Sequence, residues 1–303
     1  MKITKDYLNE IAKNTEIFHE LTEEDSKKLK SVLLGMYIDL NRACVKHHIQ
    51  LILSNGSCLG AVRHQGFIPW DDDLDVLLSR DDYNKLAAIF DDELSENYYL
   101  VGPNRDVESG LYMRLYKKGT LYKTIFGNNR EECKGIYIDV YPIEKMPDNK
   151  IARELKFMLL DFMRIGITSI AFYNYNPLLK RAFDYNLKTK IVYRIRSVIG
   201  FFFSLIGGRK LSRLYDKRAS SSHGVKYCSV PTGSNMSKKE CHPSEVFFPP
   251  QKAIFEGQEV LIPNDVDKYL SALYGDYMKV PPPEKRERHF YLELDFGDNN
   301  KNN

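Results

Sequence analysis

The sequence predicts an α+β fold: a sheet core flanked by helices, with a helical insertion and a C-terminal strand/helix segment. Three observations carry it. Over residues 26–48, Leu29, Val32, Leu33, Met36, Leu40 and Ala43 recur three or four apart, the spacing of an amphipathic helix. Between 49 and 147, short apolar runs bounded by turn residues recur and read as strands. From 151 to 218 the pattern reads mainly as helices.

In order, "IQLILSN" (49–55) is a continuous apolar run ending in Asn-Gly, a buried strand entering a turn. "FIPWDDDLDVLLS" (67–79) reads as a second strand, and Ser79 or Asp81 caps a helix over 82–94. "YYLVG", "LYMRLYKKGTLYK" and "GIYIDVYPIE" follow as strands, the last ending near Pro147. Residues 225–264 read as short strands and turns, with "AIFEGQEVLIP" a hairpin, and a helix is expected over 265–275. The chain thus divides into a core (26–150), a basic helical insertion (151–224) and a C-terminal segment (225–303).

The 303 residues are 43% hydrophobic and 28% charged, enough apolar material for a sizeable core, and the net charge of +3 excludes no function class. Cysteines at 44, 58, 133, 228 and 241 are odd in number and include no C-x-x-C. That pattern argues against a disulfide framework or zinc ribbon and for reduced thiols in the cytoplasm. Cys241-His242 is either an isolated metal pair or packing. The opening "MKITKDYLNEIAKN" has no apolar run, so no signal peptide is expected. The longest apolar run, 198–208, falls short of the roughly 20 residues of a bilayer span.

The densest chemistry lies at 71–75, with Asp71, Asp72, Asp73 and Asp75 beside Leu74 and Val76–Leu78. In an extended chain side chains alternate faces, so Asp71, Asp73 and Asp75 share one face and the apolar residues the other. Carboxylates held that close repel, and a divalent cation between them removes the repulsion. Asp139 is a lone carboxylate on the strand "GIYIDVYPI"; it is either a hydrogen-bonded strand-end aspartate or a further metal ligand. Upstream, Gly56-Ser57 follows a buried strand directly. Such a turn into a helix presents backbone N–H groups that can cradle a phosphate.

The layout of strand, Gly-Ser, helix, strand with D-x-D, and a later strand Asp resembles the nucleotidyltransferase superfamily. The longer string "GSCLGAVRHQGFIPWDDDLDV" resembles the signature of the LicD family of phosphotransferases, shared with fukutin-related enzymes. "GIYIDVYPIE", "YGDYMKVPPPEKRERH" and "FEGQEVLIP" are similar to other segments of that family, and the likeness spans roughly 35–150 and 245–290. The resemblance implies a mixed β-sheet core of nucleotidyltransferase fold. It also implies Asp73, Asp75 and Asp139 as ligands of Mg²⁺, with Mn²⁺ as the alternative ion. Gly56 and Ser57 match its phosphate-contacting turn; Asp71 is a weaker candidate. Arg63 and His64, in "AVRH", would touch donor phosphates, or Arg63 would pair with the aspartates. His289 is a candidate acid or base, or a surface histidine in a charged tail. Lys285, Arg286 and Arg288 are phosphate contacts or solvated charges. Choline would need an aromatic cage; Trp70, Tyr116, Tyr137 and Tyr141 lie in motif strands, where aromatics also serve as core.

The activity implied is transfer of phosphocholine, or a related phospho-alcohol, from a CDP-linked donor such as CDP-choline to a hydroxyl of a cell-surface glycan or teichoic acid precursor, with CMP released. Two rivals stand beside it: nucleotidyl transfer to a sugar or small molecule, and a non-catalytic nucleotide- or glycan-binding module. Between Leu178 and Arg218, eleven Lys and Arg face only Asp184 and Asp216, a local balance of +9. Leu187, Ile191, Ile195, Val198, Ile199, Phe202 and Ile206 recur there at helical spacing. The segment is either a packed helix with a solvated basic face or an interfacial helix at an anionic membrane. The second reading puts a cytoplasmic protein peripherally at the inner face, beside a lipid-linked glycan acceptor. Nucleic acid is not an expected partner, because the basic stretch is apolar-faced and carries no RNA-binding motif.

Overall fold

The computed structural model describes residues 19–105, 110–125, 130–174, 176–184, 186–233, 235–283, 286 and 290–297. Among them the fold is α+β, eight helices around a mixed nine-stranded sheet, as the sequence predicts.

Helix α1 (Glu23–Lys46) buries Leu29, Leu33, Met36, Tyr37 and Leu40, the stripe its periodicity sets out. The Thr22 hydroxyl accepts from the Asp25 N–H at 3.0 Å, and Glu23, Glu24 and Asp25 suit the positive end of the helix. Strand β1 (Ile52–Leu53) leads into α2 (Asn55–His64), and β2 (Asp75–Ser79) leads into α3 (Arg80–Glu93). Ser79 caps α3, accepting from the Asp82 N–H at 3.1 Å. Strands β3 (Tyr98–Val101), β4 (Met113–Lys117), β5 (Leu121–Lys123) and β6 (Tyr137–Met146) complete the first half.

The insertion is α4 (Lys150–Tyr173), α5 (Pro177–Phe183), α6 (Leu187–Ser204) and α7 (Gly208–Ala219). Short strands β7 (Tyr227–Ser229) and β8 (Cys241–Pro243) precede the hairpin β9 (Gln251–Phe255) and β10 (Gln258–Ile262). Helix α8 (Val266–Tyr274) and β11 (Glu293–Asp295) close the described chain.

The sheet order is β3-β4-β6-β2-β1-β10-β9, with β7 and β8 extending from β6. Pairs β2/β6 and β1/β10 are parallel and the rest antiparallel. Strand β2 sits near the middle, so Val76, Leu77 and Leu78 are all buried; a central strand is covered on both faces and does not alternate. The C-terminal β10 enters the sheet directly beside β1.

Two expectations need correction. The extended run over 67–78 shrinks to Asp75–Ser79, because the Asp71 N–H donates to the Ile68 carbonyl at 3.0 Å and closes a turn before Pro69 and Trp70 can extend. The predicted apolar stripe stays on α6 only as far as Phe202: the helix ends at Ser204, and Ile206 falls in the turn before α7, where Gly207 takes φ +91°. Cys241 and His242, successive residues of β8, point to opposite faces and do not converge.

His242 is buried against the rings of Phe247 and Tyr269, and its Nε2 has no hydrogen-bond partner among the described residues. Burial holds its pKa below the usual histidine value, Asp265 opposing. The unfolded chain therefore takes up this proton first as pH falls below about 6.5. Stability should drop across that acid window by up to about 1.4 kcal/mol per pH unit from this group. His242→Leu should flatten the slope between pH 5 and 7, read by urea denaturation.

Candidate active site

The end of β1 and the start of β2 are stitched together by the first turn of α2. Asn55, at φ +43°, donates its side-chain amide to Asp75 Oδ2 at 2.9 Å. The Asp75 N–H donates to Ser57 Oγ at 2.9 Å, and the Ser54 N–H to the Asp75 carbonyl at 3.0 Å. Gly56 lies so close to Asp71 that a Cβ there would run into the Asp71 carboxylate. Glycine is what lets an aspartate rest against this helix start. From 214 residues further along, the Tyr269 hydroxyl of α8 accepts from the Asn55 N–H at 3.3 Å.

These elements wall a cavity of about 500 Å³. Asn55, Gly56, Asp71, Asp73 and Asp75 form one side; Tyr274, which ends α8, and Asp276, Lys279 and Pro281 beyond it form the other. Strands β2 and β6 run parallel with Asp75 opposite Asp139, so the two carboxylates are register neighbours. Burial first, and then Asp139, raise the Asp75 pKa to about 8; the Asn55 hydrogen bond offsets only part.

Asp139 is held by one cation and two hydroxyls. Arg114 Nε donates to its Oδ1 at 2.5 Å, and Tyr112 and Tyr141 donate to its Oδ2 at 3.2 and 3.1 Å. Burial alone would lower Arg114, but Asp139 holds it well above its usual value. Asp139 thus has a guanidinium and two hydroxyls of the protein beside it, while the surroundings of Asp75 disfavour its charged form.

The carboxylates of Asp71, Asp72 and Asp73 each place one oxygen within 4.8 Å of the others. Asp72 is the buried member and accepts from the Tyr122 hydroxyl at 2.6 Å. Oxygen donors gathered beside a buried, charge-disfavoured Asp75 fit a hard divalent cation. Asp71, Asp73 and Asp75 share the cavity wall and would hold it, with Asp139 alongside.

The structure brings Gly56, Asp73 and Asp75 to one cavity, with Ser57 just behind it and Asp139 one strand away. Arg63 lines the same cavity and donates to the Tyr277 carbonyl at 2.7 Å rather than to an aspartate. His64 accepts from Arg63 Nε at 3.0 Å and meets Trp70 edge-on, 6.2 Å between centroids. Burial, with Arg63 and Lys30 adding to it, lowers the His64 pKa. His289, Lys285 and Arg288 lie outside the described residues; Arg286 stacks over Trp70 at 4.2 Å. Tyr137 likewise already faces a cation of the protein, Arg114 at 4.5 Å.

Sequence reasoning missed Asn55 and Arg114. Asn55 carried only a turn signal, and Arg114 is one cation in an alternating strand whose neighbour is known only once the sheet is built.

Residues 48–183 match the family described as LicD/FKTN/FKRP, nucleotidyltransferase domain. The chain is 26% identical over 272 residues to the lipopolysaccharide cholinephosphotransferase LicD of Haemophilus influenzae, an alignment covering 86% of this chain and 94% of that one. An uncharacterised protein of Rickettsia prowazekii is 33% identical over 138 residues, 43% of this chain and 47% of its own. One from Rickettsia typhi is 40% identical over 126 residues, 42% of this chain and 38% of its own. The aspartate cluster, the Gly56 turn and Asp139 all fall inside the span 48–183 that matches the LicD/FKTN/FKRP nucleotidyltransferase domain.

Proposed function

We propose that the protein transfers phosphocholine, or a related phospho-alcohol, from a CDP-linked donor to a hydroxyl of a cell-surface glycan or teichoic acid precursor. The observation that carries the reading is the cavity in which Asp71, Asp73 and Asp75 meet the first turn of α2. The relative named as a lipopolysaccharide cholinephosphotransferase, aligned over 94% of its length, supports the choice of transferred group.

In this reading the acceptor oxygen bonds to the phosphorus nearest the alcohol, and the bond from that phosphorus to the CMP oxygen breaks. CMP leaves with the electron pair, and the acceptor proton passes to a cluster carboxylate or to water. Phosphoryl chemistry asks mainly for positioning and charge neutralisation. Mg²⁺, or Mn²⁺, held by Asp73 and Asp75 with Asp71 or Asp139, would supply that neutralisation at the donor phosphates. Gly56 keeps the helix start open to a phosphate, Asn55 orients Asp75, and Arg114 fixes Asp139. Arg63 and Lys279 add positive charge to the wall, suiting an anionic donor. The protein would work at the inner face of the membrane, where lipid-linked acceptors are assembled.

Incubation with CDP-choline, CDP-ribitol and CDP-glycerol plus Mg²⁺ should release CMP from one of the three, and chelation should stop it. Pyrophosphate release from CTP with a sugar, and no CMP from any CDP-alcohol, would replace this reading with nucleotidyl transfer.

A further inference from the structure

Helix α6 is apolar on two opposite faces. Its inner face packs antiparallel on α4: Gly200 lies against the Ser169 carbonyl so closely that a Cβ would collide with it. Arg196, on that same side, donates to Ser169 Oγ at 3.0 Å and lies over Phe172. The outer face carries Leu187, Ile191, Ile195, Val198, Phe202 and Leu205, one continuous stripe at helical spacing. Leu187, Phe202 and Leu205 are 74, 61 and 70% exposed, far beyond the scattered apolar contacts of an ordinary surface.

The stripe continues onto a second helix. Ile151, Leu155, Met158 and Phe162 are exposed along α4, and Phe162 meets Phe203 edge-to-face at 5.5 Å. Exposed Lys188, Lys190 and Arg194 project to the flanks of the α6 stripe. From 187 to 215 the chain holds seven Lys and Arg and no Asp or Glu.

We propose that this two-helix face docks the protein on an anionic lipid bilayer, with α6 lying in the headgroup plane and its outer stripe immersed. The surface gives a physical basis to the peripheral location in the reading above, and its test does not depend on the reaction. Charge selects the occupant. A second copy seated on the same face would set Lys188, Lys190 and Arg194 against their own equivalents with no carboxylate on α6 to pair them, whereas an anionic leaflet complements them. Insertion stops at the surface. No single helix among the described residues is long and apolar enough to cross a membrane, and α6 with α7 reaches that length only across an 88° bend. Helix α7 is anchored in the protein through buried Leu211, Tyr215 and Ala219, so it cannot follow α6 into lipid.

The full chain should pellet with phosphatidylglycerol–phosphatidylcholine vesicles at low salt, roughly tenfold or more better than with phosphatidylcholine alone. Added salt should weaken it. Ile195→Glu/Phe202→Glu, at exposed positions, should stay folded by thermal melting and lose the pelleting. Lys188→Glu/Lys190→Glu/Arg194→Glu should lose the preference for the anionic vesicles. Wild type left in the supernatant with anionic vesicles would overturn the proposal. So would a wild-type dimer that Ile195→Glu/Phe202→Glu turns into monomer without any vesicle binding, which would assign the face to a second copy.

Discussion

Asp75→Asn is expected to cut CMP release by roughly 10²–10³-fold while the protein stays folded. The side chain is buried, so an isosteric amide fits the same space and keeps a group for Asn55 to meet. Without a cation the variant should melt higher than wild type at and above pH 8. The sign follows from the raised pKa. In the unfolded chain Asp75 ionises near its ordinary value of about 4. In the folded protein burial and Asp139 hold the proton to about 8. Its contribution to stability is therefore complete below about 4 and is lost as pH rises through about 8, at up to about 1.4 kcal/mol per pH unit. Asparagine has no proton to lose and should show no such decline. Mg²⁺ should reverse the order, raising the wild-type melting temperature at pH 8 and leaving Asp75→Asn little changed. Activity within a few-fold of wild type would mean the reacting centre lies elsewhere.

Arg80→Met should cost about 3–5 kcal/mol, the largest stability effect expected in the molecule. Arg80 opens α3 directly after β2, and its guanidinium pairs with Glu144 of β6 and, at 3.0 Å, with Asp216 of α7. Its face also rests on Tyr83. Glu144 is 1% exposed, and burial raises its pKa against the pull of Arg80. Removing the cation leaves two buried carboxylates without their shared partner. Arg80→Met/Glu144→Gln should recover part of the loss, because one of the two charges goes with it. Urea denaturation at pH 7 measures both. Glu144 lies five residues along β6 from Asp139, so this network ties the helical insertion to the strands of the site. An Arg80→Met protein as stable as wild type would show the ion network adds nothing to that tie.

The local pattern of the chain was enough to read α1, a cap at Ser79 or Asp81 (Ser79 in the structure), the hairpin at 251–262 and the helix at 266–274. It also brought forward Gly56, Asp73, Asp75 and Asp139 as the residues to look for. These signals are short-range: helical periodicity, a capping hydroxyl, a turn glycine, carboxylates too close to leave unexplained. The same local logic misjudged 67–78. Alternation lines Asp71, Asp73 and Asp75 along a strand face, but a turn at Ile68–Asp71 gathers them instead.

What local pattern could not supply is adjacency. Strands β2 and β6 are separated by α3 and three intervening strands, yet they pair in parallel and set Asp139 beside Asp75. Arg114 reaches Asp139 because β4 pairs β6 from the other side, with Arg114 opposite Asp139. The far wall of the cavity comes from 274–282, delivered by α8 after β10 slots in next to β1. The open face of α6 follows from which side α4 covers. Strand neighbours, buried charge partners and uncovered faces are set by hydrogen bonding and burial between residues distant in the chain, and those forces act only once the chain has packed.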